Sequence, residues 1–142
     1  MKTTALKFGG SSLADASQFR KVADIILSHE GRLFVVASAP GKRNKDDIKV
    51  TDMLYGCFDL ASSGSDFSEA LVAIKLRFEA IAYELGIAFN AKEEFGIISE
   101  HLARNPRKDY MASRGEYLNS KLLAAYLGFD FIDPATCIFF NP

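Results

Sequence analysis

The chain has 142 residues, 49% hydrophobic, 25% charged and 12% aromatic, with a formal net charge of −1. A single domain of this size hides roughly two thirds of the surface its unfolded form exposes, so a packed core is possible and collagen-like, disulfide-scaffold and wholly disordered chains are excluded. The lack of a basic excess argues against a general nucleic-acid or anionic-membrane binder, and no apolar run approaches the ~18 residues that span a bilayer.

Residues 3–8 read as a short strand, followed by the turn Gly9-Gly10-Ser11-Ser12. Residues 15–29 read as a helix with Phe19, Val22, Ala23 and Ile26 on one face, stopped by Gly31. Residues 33–38 are a nearly continuous apolar run, the pattern of a strand buried on both faces in a parallel sheet. Strand, helix and strand together have the size of a βαβ unit. Residues 41–50 are the most polar stretch and read as a solvated, mobile loop, with Asp46-Asp47 as a solvated charge pair. Helices are expected from about Thr51 to Leu60, along the stripe Leu71, Ile74, Phe78, Ile81 and Leu85, over 92–104, and over 112–127. Two further strands are expected at 129–132 and 137–140.

The order β-α-β-α-α-α-α-β-β is α/β with a helical excursion in the middle. The apolar run Ile138-Phe139-Phe140 resembles an interior strand, yet the sequence stops two residues later, so a chain cut within its domain is expected. Cys57 and Cys137 match neither a CxxC pair nor a zinc spacing. With no apolar leader near Met1, the expected setting is the reducing cytoplasm.

Three segments can carry chemistry. Gly9-Gly10-Ser11-Ser12 sits between a strand and a helix, where backbone N–H groups and the helix N-terminus can cradle phosphate and Lys7 can add its ammonium. The plain alternative is a flexible turn. Ser38-Ala39-Pro40-Gly41 ends the second strand, and ligands in open α/β sheets sit at the carboxyl ends of strands; an ordinary Pro-Gly turn fits equally. Ser113-Arg114-Gly115-Glu116 leads into a helix and fits a capping box, or else leaves Glu116 as a carboxylate for a substrate ammonium. His29 and His101 are isolated, and no metal-ligand cluster is visible.

Taken together, Lys7-Phe8-Gly9-Gly10-Ser11-Ser12, Ser38-Ala39-Pro40-Gly41 with Thr51-Asp52-Met53-Leu54, and Ser113-Arg114-Gly115-Glu116 resemble the aspartate kinases of the amino-acid kinase superfamily, in the right order along the chain. The resemblance implies a three-layer αβα sandwich around a mostly parallel sheet, here truncated. It implies ATP-dependent phosphorylation of the side-chain carboxylate of L-aspartate, the first step toward lysine, threonine and methionine, with Mg²⁺ accompanying the nucleotide. By the same resemblance Lys7 is the catalytic lysine that neutralises the transferring phosphoryl group. Gly9, Gly10 and Ser38 face the phosphates. Thr51 and Glu116 hold the substrate.

Family members usually run on to a nucleotide-binding half and regulatory domains, and neither is recognisable here. Residues 1–142 are therefore expected to be the amino-acid-binding half of the catalytic domain, inactive alone and part of a homo-oligomer in the longer enzyme. The alternatives are a glutamate- or acetylglutamate-type kinase and a non-catalytic amino-acid-binding or interaction domain.

Overall fold

The computed structural model describes residues 2–140. Strand β1 (Thr4–Phe8) and strand β2 (Arg32–Ala37) pair in parallel, with Lys7 opposite Val36 and Phe8 opposite Ala37. Between them run a 3-10 turn (Gly10–Leu13) and helix α1 (Ala16–Leu27), completing the expected βαβ unit. Helices α2 (Val50–Ser62), α3 (Ser68–Leu85), α4 (Ala91–Arg104) and α5 (Lys108–Leu127) follow. The fold is thus mixed α/β, mostly helical, with a small parallel sheet.

The helical stripes form the core. Phe19, Val22 and Ile26 of α1 meet Ile74, Phe78 and Ile81 of α3, Phe95, Ile98 and Leu102 of α4, and Leu118 and Leu122 of α5, all buried. Burying a side chain of this size contributes about 1.5–3 kcal/mol relative to leaving it in water. Helix α3 ends at Gly86 and α5 at Gly128, both in the left-handed conformation that glycine adopts without strain. Helix α1 instead ends at Leu27, and Gly31 lies beyond a further turn, its carbonyl accepting from Thr4 N–H at 2.7 Å.

Three expectations fail. Strand β2 is not buried on both faces, since Leu33, Phe34 and Val36 are each more than half exposed. Among the described residues β2 pairs only with β1, so its apolar side chains have little to pack against. Neither 129–132 nor 137–140 is a strand. Asp133 and Pro134 open a 3-10 turn (Pro134–Thr136), and Ile132, Ile138, Phe139 and Phe140 stay exposed. An apolar run becomes a strand only where another edge accepts its N–H and C=O groups. The polar loop after β2 is not freely solvated either. Arg43 binds Asp47 through Nε and Nη2 at 2.8 and 2.9 Å, and the Asp47 side chain is only 11% exposed.

Candidate functional site

The turns that follow the two parallel strands lie side by side. Gly41 N–H donates to Gly10 C=O at 2.8 Å, and Ser38 N–H donates to Phe8 C=O at 3.0 Å. This contact has no room for side chains. A Cβ on Gly10 would stand 2.8 Å from the Ala39 carbonyl oxygen, and one on Gly41 would stand 2.5 Å from the Gly10 carbonyl carbon. Both positions therefore require glycine because two backbones touch.

A cleft of about 500 Å³ opens above this contact. It is lined by Gly10, Ser38 and Thr51 together with Glu116, and also by Lys42 and Lys49. Four of the six residues singled out from sequence thus meet in one place. Lys7 joins them from β1, its Nζ 3.5 Å from Ser38 Oγ. Gly9 does not line the cleft; it precedes the 3-10 turn in extended conformation. Lys42 and Lys49 belong to a loop whose sequence reads only as solvated charge. For Lys42 the available signal is its place directly after Pro40-Gly41 at the end of a strand; Lys49, eight residues beyond Gly41, has no such signal.

One sequence reading of local structure is corrected here. Helix α5 begins at Lys108, so Ser113 and Glu116 sit inside it and form no capping box. Ser113 Oγ instead donates to Tyr110 C=O at 2.7 Å, and Glu116 is exposed at the cleft. Asp15 caps the N-terminus of α1, its carboxylate accepting from Gln18 N–H at 3.0 Å. Helix α2, by contrast, starts at Val50 with no side-chain cap on Lys49, and this positive helix end lies at the cleft beside Thr51.

Buried polar groups hold the cleft wall from behind. Asn119, fully buried on α5, donates from Nδ2 to Ser38 C=O at 2.7 Å. Helix α5 can come this close because residue 115 is glycine, where a Cβ would lie 2.6 Å from the Ala39 Cβ. Arg77, buried on α3, reaches the loop between β2 and α2. The Arg43 hydrogen bonds, the N–H groups of Arg43 and Ile48, and the Arg77 charge hold the Asp47 carboxyl well below the usual carboxylate range. Burial lowers the Arg77 pKa while the Asp47 charge opposes that shift. The histidines lie elsewhere in local contacts: His29 Nδ1 accepts from Gly31 N–H at 3.0 Å, and His101 stacks on Tyr110 with centroids 3.7 Å apart.

Among known proteins, the amino acid kinase family matches residues 2–141. Aspartokinase 3 of Bacillus subtilis is 38% identical over 127 residues, covering 85% of this chain and 28% of that protein. The chloroplastic aspartokinase 3 of Arabidopsis thaliana is 31% identical over 141 residues, covering 88% and 24%. The solved aspartate kinase of Clostridium acetobutylicum matches with TM-score 0.90 at 42% identity, over 93% of this chain and 30% of that one. Aspartokinase III of E. coli, solved with aspartate and ADP, matches with TM-score 0.70 at 25% identity, over 89% and 29%. The chain therefore spans less than a third of the length of these relatives. Sequence and backbone agree over most of the chain, and on that ground it belongs to the amino acid kinase family.

Proposed function

We propose that residues 1–142 form the amino-acid-binding half of an aspartate kinase catalytic domain, within a three-layer αβα sandwich larger than the sheet described here. The observation that carries this reading is the convergence of Lys7, Ser38, Thr51 and Glu116, from separate elements, at one cleft. E. coli aspartokinase III, a relative with the same local fold, binds aspartate and ADP.

The chemistry follows from charge. Exposed Glu116 takes the substrate ammonium as a charge-assisted hydrogen bond. The uncapped start of α2, with the Thr51 hydroxyl and Lys49, suits a carboxylate of the same substrate. The side-chain carboxylate oxygen then forms a bond to the γ-phosphorus of ATP. The bond to the β–γ bridging oxygen breaks, and ADP leaves with the electron pair. Lys7 meets the charge on the transferring phosphoryl group at the Ser38 side of the cleft. The residues here do not form a Mg²⁺ cage, because Glu116 is the one carboxylate lining the cleft among the described residues. The free thiols Cys57 and Cys137 suit a reducing cytoplasm.

Isothermal titration with L-aspartate tests the reading. Wild-type protein should bind L-aspartate in preference to L-glutamate. Glu116→Gln should weaken binding about tenfold or more, as removal of one charged partner worth roughly 1.5–3 kcal/mol requires. Equal binding of glutamate would favour a glutamate-type kinase, and no binding of either amino acid would overturn the proposal.

A further inference from the structure

One buried guanidinium touches both walls of the cleft. Arg77 is 6% exposed and lies on the apolar stripe of α3, between Ile74 and Phe78. Its Nη1 donates to Ile48 C=O at 2.8 Å. Its Nη2 donates to Gly41 C=O, and reaches Ala14 C=O at 3.5 Å. The Asp47 carboxylate lies 3.4 Å from the same Nη2. Ala14 closes the 3-10 turn after β1, whereas Gly41, Asp47 and Ile48 belong to the loop between β2 and α2. Desolvating a guanidinium in a helical core is costly, and packing alone would favour an apolar residue at this position. Nε is buried with no partner, so the core does not satisfy even the whole group.

We propose that Arg77 is a positioning residue for the cleft: it holds the loop over 41–50 against the turn over 10–14, and so fixes the spacing between Ser38 and the Lys49–Thr51 start of α2. The role of this spacing in aspartate recognition rests on the function proposed above. The planar fork explains why arginine is used. Its two terminal nitrogens reach three carbonyls and a carboxylate on two segments, which the point charge of lysine does not span.

The test uses the full chain and the variants Arg77→Lys, which keeps the charge, and Arg77→Met, which removes the guanidinium while Asp47 keeps its pairing with Arg43. The first readout is amide hydrogen exchange, which needs no ligand. Gly41 N–H, bonded to Gly10 C=O, and Val50 N–H, bonded to Pro40 C=O, report on the loop. In the folded variants both amides should exchange at least about tenfold faster than in wild type, while amides within α1 and α5 stay unchanged, because loops open locally at lower free energy than core helices. The second readout is L-aspartate affinity, which should fall about tenfold or more at unchanged helical content, since small misplacements in a site cost up to about a hundredfold. Uniformly faster exchange would reduce Arg77 to a general stability role and overturn the proposal. So would unchanged exchange at Gly41 and Val50, or an unaltered affinity for aspartate despite a loosened loop. Selective loosening in a protein whose wild type binds no aspartate would sink the proposed function and leave Arg77 as the residue that shapes the cleft.

Discussion

At the scale of single residues, the polar loop after β2 shows how little charge patterning alone reveals. Asp46 and Asp47 are adjacent acids in a polar run, yet only Asp47 turns inward to Arg43 and Arg77. Its carboxyl has a folded pKa below its unfolded value of about 4. The stabilisation this represents is therefore complete above that unfolded value and is lost as pH falls through the folded one. Comparing melting temperatures of wild type and Asp47→Asn across pH should show a gap that is constant from neutral down to about pH 4 and narrows further into acid. A gap that stays constant to pH 2 would mean that Asp47 is not held in this way. Arg77 carried a legible signal, a cation in register with the apolar stripe Leu71, Ile74, Phe78 and Ile81. What it holds was not legible, because its partners come from other parts of the chain.

At the scale of elements, two helical glycines should respond in opposite directions to the same substitution. Gly96 on α4 has no atom within 4 Å of an added Cβ. Gly96→Ala should stabilise the protein by about 0.5–1 kcal/mol through backbone entropy. Gly115→Ala gains the same term but forces a Cβ to 2.6 Å from that of Ala39. Overpacking of this kind costs about 1–3 kcal/mol, and Ala39 has little freedom to retreat, because Asn119 holds the neighbouring Ser38 carbonyl. Thermal melts should show Gly96→Ala rising and Gly115→Ala falling. Helix α4 also carries a side-chain cap: the Asn90 side-chain oxygen accepts from Glu93 N–H at 3.2 Å, and its amide donates to the Glu93 carboxylate at 2.7 Å. Asn90→Ala should cost about 1 kcal/mol in denaturant titrations. The capping pattern at Ser113 and Glu116 has the same local spelling but falls inside α5, which starts five residues before Ser113 once Pro106 has ended the previous helix. A motif for a helix start is decided by where the backbone begins to coil, which depends on the residues upstream.

At the scale of the whole molecule, the core closes around Cys57, which is fully buried, while Cys137 is exposed in the C-terminal segment. Burial pushes the Cys57 thiol up to about 11, so its reactive thiolate is scarce near neutrality. A thiol reagent at pH 8 should therefore titrate one cysteine quickly in the native protein and the second only on unfolding. Two fast thiols in the native state would show that the helical core opens. Among the described residues no helix is long and apolar enough to cross a membrane, consistent with helices that are amphipathic rather than uniformly apolar.

The sequence by itself determined the helices of the core, the βαβ unit and the family, because each depends on short-range periodicity or on short strings of residues around tight turns. The stripes Phe19–Ile26, Leu71–Leu85 and Phe95–Leu102 bury as their spacing requires. The convergence of Ser38, Thr51 and Glu116 was legible only as a resemblance between strings, and their shared cleft required the coordinates. Tertiary structure alone decided which apolar runs become strands, whether Glu116 caps a helix or faces a cleft, and which charges go inside. Strand formation at 129–132 and 137–140 needed a neighbouring edge to take up backbone hydrogen bonds, and no run of side chains encodes that edge. The inward turn of Arg77 and Asp47 needed carbonyls from two distant turns, which only the packed chain brings together.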